Sequence, residues 1–85
     1  MKTVQSFAFS NCEALEYADL SAARGLKTLE RFAFSSCERL GALLLNEGLE
    51  TIGEDCFHMS GLRELTVPST VGSIEKGAFA DCQLL

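Results

Sequence analysis

The residues best suited to chemistry are four cysteines, Cys12, Cys37, Cys56 and Cys82, one histidine, His58, and an acidic run, Glu47, Glu50, Glu54 and Asp55. A thiolate can act as nucleophile, redox centre or zinc ligand, and imidazole is the commonest metal ligand of all. The spacings argue against each use. There is no C-x-x-C pair, and Cys56 with His58 supplies two ligands where structural zinc takes four and catalytic zinc three plus water. With His58 the lone His, the search for an imidazole-based triad ends there, and no carboxylate pair stands out against a polar pocket. The acidic run lacks the closely alternating ligands and central Gly of a calcium loop, and reads as a solvated turn. No catalytic, cofactor-binding or metal-binding residue is expected, so a redox or metal-dependent function rests on the cysteine count alone.

What positions these residues is an internal repeat. Phe9, Phe34, Phe57 and Phe79 recur at intervals of 25, 23 and 22 residues, each preceded by a small residue, Ala8, Ala33, Cys56 or Ala78. Three positions after each Phe stand Cys12, Cys37, Ser60 and Cys82. An L-x-x-L-x-L run follows: Leu15, Ala18, Leu20; Leu40, Leu43, Leu45; Leu62, Leu65, Val67; and Leu85 opens another. Pairs spaced by three come next, Leu26 with Leu29, Leu49 with Ile52, Val71 with Ile74, and Val4 is half of an earlier pair. The alternating L-x-L is a short strand with one buried face, and one such strand per period stacks into a parallel sheet at ~4.8 Å spacing. Turns at Gly25, Gly48 and Gly72 return the chain to the next rung, and no rung can close a core alone. Extra residues around Ala22 and Ala23, and one missing near Ser60-Gly61, fall in surface loops.

The repeat also accounts for the thiols. Cys12, Cys37 and Cys82 share one inward slot, where a thiol can contact loop backbone, while Cys56 fills the Ala slot beside Phe57. Buried free thiols are the expectation, since unpaired Cys behaves as a small hydrophobe. Cys12 and Cys37 are close enough for a disulfide, but their parallel side chains argue against one, and Cys37 and Cys82 lie two rungs apart. Phe7 and Phe32, two residues before the ladder Phe, are expected to pack on the outer wall.

A chain of 85 residues makes one small domain, and 47% hydrophobic residues with 22% charged ones describe a globular segment. No apolar run approaches the ~18 residues of a membrane span, which excludes membrane insertion by a helix. A net charge of −5 disfavours phosphate backbones, so nucleic acid is not an expected partner. The N-terminus has no apolar stretch ending in a cleavage site, and the compartment stays open.

The segments LERFAFSSCERLGALLLNEGLETIGEDCF and LRELTVPSTVGSIEKGAFADCQLL resemble the BspA-like leucine-rich repeats, whose unit is I-x-x-x-A-F-x-x-C-x-x-L-x-x-L-x-L-P. Pro68 alone keeps the Pro after the strand, where Ser21 and Asn46 stand elsewhere, and Ser60 replaces one Cys. The resemblance covers residues 1–85 as a single segment of about three full rungs and two partial ones. It implies a binding or adhesion module built from tandem arrays, often at cell surfaces, with no catalytic residues. The expected fold is an α/β repeat: a right-handed leucine-rich-repeat solenoid with a short parallel β-sheet on the concave side and turns, short helical or second-strand segments on the convex side.

The expected function is protein binding or scaffolding within a longer protein or assembly; the alternative is a structural subunit that fills space in a complex with no ligand of its own. Strand side chains alternate faces, so Tyr17, Asp19, Ala42, Leu44, Glu64 and Thr66 should project onto the concave sheet as the candidate partner-binding surface. With an aromatic, a Leu, two carboxylates and no Lys or Arg, that surface suits a protein with apolar and basic features. Both ends fall within the repeat pattern without a polar cap, so self-association or neighbour contact through uncapped ends is expected.

Overall fold

The computed structural model describes residues 2–85. The chain winds through successive coils built from strands and turns, and no helix occurs among the described residues. The strands are β1 (Thr3–Val4), β2 (Tyr17–Asp19), β3 (Thr28–Leu29), β4 (Ala42–Leu44), β5 (Thr51–Ile52) and β6 (Ser73–Ile74). They form two parallel columns. One is a four-stranded sheet in the order β1-β3-β5-β6, and the other pairs β2 with β4. Of the options for the return segments, second strands form and helices do not, so the helical half of the α/β expectation is corrected. Each return segment spends only a few residues between turns, too few to repay the nucleation of a helix.

The larger sheet grows from the pairs spaced by three. Register runs Thr3↔Thr28↔Thr51↔Ser73 and Val4↔Leu29↔Ile52↔Ile74, so the apolar member of each pair stacks on its counterparts. Val4, Leu29 and Ile52 are buried. In the second sheet, Tyr17, Ala18 and Asp19 face Ala42, Leu43 and Leu44, and a further parallel bridge joins Ala42 to Glu64. The third L-x-x-L-x-L run thus contributes a bridge where a full strand was expected.

Between the columns lies the Ala-Phe segment, held by turns. Phe9, Phe34, Phe57 and Phe79 stack with centroids 5.1, 5.5 and 5.4 Å apart and planes within 13°. Phe34 and Phe57 are buried, with Ala33, Cys56, Leu40 and Leu62 around them. Residues two before and two after each ladder Phe adopt positive φ: Phe7 and Asn11, Phe32 and Ser36, Asp55 and Met59, Gly77 and Asp81. That conformation lets alternate N–H groups point in opposite directions. Phe7, Phe9 and Asn11 donate to Arg31, Ala33 and Ser35 of the next coil, while Ala8, Ser10 and Cys12 donate back to Gln5, Phe7 and Phe9. The bonds to the next coil recur in full in the following two coils, and the bonds back within the turn recur except at Cys37.

The turn positions differ from expectation at one point. The turn preceding Val71 is Ser69-Thr70, where Thr70 Oγ1 donates to the Leu49 carbonyl, and Gly72 lies in extended chain donating to Glu50. Two other glycines are fixed by close approach. A Cβ on Gly53 would lie 2.7 Å from Arg31 N and from the carbonyl carbon of Glu30, and one on Gly61 2.9 Å from the carbonyl carbon of Glu38. Gly61 sits where the third coil is one residue short, so the shortened loop passes against the backbone of the coil before it.

Overpacking against backbone cannot be relieved by a rotamer change. Gly53→Ala and Gly61→Ala are each expected to destabilise the fold by roughly 1–3 kcal/mol or more, measured by urea unfolding, whereas Gly72→Ala, with open space around it, should change stability by less than about 1 kcal/mol.

Candidate functional site

The β2–β4 pair brings the six expected surface residues into one patch. Backbone bonds from Gly41 N to Glu16 O (3.1 Å), Leu20 N to Leu44 O (2.8 Å) and Arg63 N to Gly41 O (3.2 Å) fix the three runs side by side. Leu43 is buried on the inner face, with Ala18 and Leu65 packed against the core. Pleating turns their neighbours outward: Tyr17 is 55% exposed and Leu44 47%, and Asp19, Glu64 and Thr66 are exposed, with Ala42 half-buried between them. Ala42, Leu44, Glu64 and Thr66 line a shallow depression of about 230 Å³ floored by Leu43 and Leu65.

Asp19 also has a local structural role. Its Oδ1 accepts hydrogen bonds from the hydroxyl and the N–H of Ser21, which hold its carboxyl below the ordinary carboxylate range. The carboxylate therefore closes the turn after β2 and leaves Oδ2 to face solvent. Next to the start of the sheet is a second depression, of about 420 Å³, whose lining includes Glu16, Glu38, Arg39 and Arg63. Its two arginines lie beside the surface expected to be free of cations. Their signal was present, since Glu16, Gly41 and Arg63 occupy one column immediately before Tyr17, Ala42 and Glu64, but it lies outside the L-x-L pattern.

The cysteines are all free thiols, with Cys37 and Cys56 buried and Cys12 and Cys82 half-buried. Cys37 Sγ donates to Phe9 O at 2.9 Å and Cys82 Sγ to Phe57 O at 3.0 Å, so each ties its coil to an earlier Phe. Burial raises the Cys37 thiol above its ordinary pKa and pushes Cys56 up to about 12. Thiols held protonated in this way are poor nucleophiles. His58 Nε2 lies 3.2 Å from Asp81 Oδ2 on the surface, and among the described residues no cluster of His, Cys, Asp or Glu is arranged to hold a metal ion. Phe7 and Phe32 stack on each other at 4.9 Å, nearly coplanar, with Phe7 58% exposed.

Parallel coils, a stacked Ala-Phe column and a sulfur ladder are the architecture of a tandem repeat, and the sequence profile of the BspA type leucine-rich repeat region matches residues 1–85 in six copies. The chain belongs to this family. No curated protein and no solved structure matches it. BspA-type leucine-rich repeats are generally non-catalytic, and they commonly mediate protein–protein interaction. In this chain the Ala-Phe and Cys columns recur from repeat to repeat, whereas the outward strand positions, such as Tyr17, Ala42 and Glu64, differ.

The raised thiol predicts a pH dependence. Cys56 is protonated when folded, so its contribution to stability is complete below the unfolded value of 9.0 and is lost as pH rises towards about 12. Denaturant unfolding from pH 8 upward should show an alkaline loss that Cys56→Ala diminishes; Ala occupies the same slot at Ala8, Ala33 and Ala78. An identical alkaline loss in both proteins would refute the assignment.

Proposed function

We propose that the chain is a non-catalytic protein-binding or scaffolding module of a longer protein or assembly, and that the β2–β4 sheet forms the concave face of a right-handed solenoid and receives a protein partner. The carrying observation is that Tyr17 and Leu44, on neighbouring strands of one sheet, stay about half exposed beside a depression edged by Glu64 and Thr66. Tyr is enriched at binding hot spots because its ring supplies large contact area with few rotamers to freeze. Right-handed crossovers between parallel strands are the rule, which supports the handedness.

Charge defines the partner further. Asp19 and Glu64 lie on this face, the whole chain carries −5, and the arginines Arg39 and Arg63 sit beside Glu16 and Glu38 at its margin. A partner with an apolar anchor site ringed by Lys or Arg would therefore be attracted to the face and held by burial of Tyr17 and Leu44.

Photo-crosslinking from position 44 should capture a partner, and Tyr17→Ala with Leu44→Ala should weaken its binding at least tenfold, about 1.4 kcal/mol. Glu54→Ala and Lys76→Ala, away from this sheet, should leave the affinity unchanged in titration calorimetry. A larger loss from Glu54 or Lys76 than from the Tyr17–Leu44 pair would overturn the proposal.

A further inference from the structure

Gly41 is a glycine that the fold does not ask for. Gly48 and Gly77 occupy left-handed backbone, and Gly53 and Gly61 pass too close to neighbouring backbone to carry a side chain. Gly41 shows neither feature: its φ is not positive, and a Cβ built on it would meet nothing nearer than Arg39 O at 4.0 Å. Glycine weakens ordered backbone, because it loses more freedom on folding than any other residue and adds no packing. A side chain is thus missing at a place where folding would tolerate one and gain from it.

The gap lies in the middle of a column. Glu16, Gly41 and Arg63 stand side by side, Gly41 N donating to Glu16 O and Arg63 N to Gly41 O, one residue before the pairing of Tyr17, Ala42 and Glu64. The coil that holds Gly41 has a coil on each side, so the gap is bounded within the chain and opens on the flank of the solenoid. Gly61, where the third coil is one residue short, removes a second side chain nearby, and the two glycines with Arg39 and Arg63 line the depression of about 420 Å³. Both arginines are exposed. Among the described residues the ion pairs are Lys27–Glu50 and His58–Asp81, so neither guanidinium is paired, although Glu16 and Glu38 lie on the same rim.

An unpaired guanidinium is a fork of N–H donors shaped for a carboxylate. Two of them beside a floor without side chains can receive one carboxylate carried on a side chain that enters over Gly41. Glu16 and Glu38 set the limit, since the four charged residues of the lining sum to zero and a dianion such as phosphate meets more repulsion there than a single carboxylate does. Arg63 directly precedes Glu64, so the depression runs on into the outward face of the β2–β4 sheet.

We infer that this depression takes an acidic side chain, Asp or Glu, of the protein partner, with Arg39 and Arg63 as its recognition residues and Gly41 as the space it enters. The assignment rests on the reading of the β2–β4 sheet as the partner-binding face. To the partner's apolar anchor site and its ring of Lys or Arg it adds one carboxylate, placed where the sheet meets the Gly41 flank, which fixes the direction in which the partner lies across the strands.

N-acetyl-glutamate amide, an acidic side chain with no partner around it, tests this by NMR titration of the isotope-labelled chain. It should shift the Gly41 and Gly61 N–H and the Arg39 and Arg63 Nε–H signals saturably, at least tenfold more tightly than its neutral isostere N-acetyl-glutamine amide or inorganic phosphate, and added salt should weaken it. Gly41→Leu, which fills the space, and Arg39→Gln with Arg63→Gln should each weaken binding more than tenfold, while Tyr17→Ala with Leu44→Ala should leave it unchanged. Unaltered urea midpoints show that the variants are folded, and where Gly41→Leu lowers its midpoint the arginine pair decides. No saturable shift, an equal response to the glutamine isostere or to phosphate, or an unchanged titration in the arginine pair overturns the inference and leaves the Tyr17–Leu44 reading standing. A captured partner indifferent to Tyr17 and Leu44, beside intact carboxylate binding, overturns that reading instead and leaves the carboxylate site in place.

Discussion

Everything in this molecule depends on how the Ala-Phe segment spends its N–H groups. With positive φ two residues before and two after each Phe, successive amides alternate between the chain's own turn and the neighbouring coil. The segment is thereby satisfied within a short turn and also bonded to the coil beside it, which neither a helix nor a strand achieves in so few residues. Stacking of Phe9, Phe34, Phe57 and Phe79 follows from this geometry, because coils bonded in register bring identical positions one above another. The cysteine ladder follows too, since the thiols of Cys37 and Cys82 reach the Phe9 and Phe57 carbonyls of the neighbouring coil, which each also accept an amide N–H of their own turn.

That constraint has a cost where bulky residues occupy the left-handed positions. Asn, Asp and Gly tolerate the conformation, and they fill it at Asn11, Asp55, Gly77 and Asp81. Phe7 and Phe32 do not share that tolerance, and left-handed backbone costs such residues roughly 1–2 kcal/mol each. Their mutual stack at 4.9 Å offsets part of it, an aromatic pair adding ~0.5–1.5 kcal/mol beyond buried area. The two rings thus occur together in adjacent coils, and the coils that lack a Phe neighbour use Asp55 and Gly77.

The parts of this fold legible in the sequence are those that bury side chains at fixed spacing. Phe34, Cys37, Leu40, Leu43, Leu49 and Ile52 carry their period in their residue types, and each is buried. The four-stranded sheet was harder to see because strands of two residues, such as Thr28–Leu29, are too short to show alternation, and Leu26 with Leu29 fits a helical turn as well as a strand. The left-handed positions were hidden for another reason: Phe, Asp and Gly at one column and Asn, Ser, Met and Asp at the other share no hydropathy. Gly72 misled because glycine signals a turn by type, whereas the turn in that coil is made by Ser69 and by Thr70, whose hydroxyl caps the Leu49 carbonyl.

The outward face is legible in a different sense. Alternation decides that Tyr17, Leu44 and Glu64 point away from the core, but no packing rule decides which residue stands there, so the column from Tyr17 through Ala42 to Glu64 passes from aromatic to methyl to carboxylate across three coils. Where the core demands sameness, the surface is released from it, and whatever the surface holds is set by something other than folding. Asp19 shows the limit of that freedom, since its Oδ1 is committed to Ser21 and its charge serves the turn before any partner. Tyr17 and Leu44 have no such commitment in the fold. Large apolar side chains left half exposed on a strand face contribute only part of their area to the single chain, and under the proposed function the remainder is the area a partner would cover.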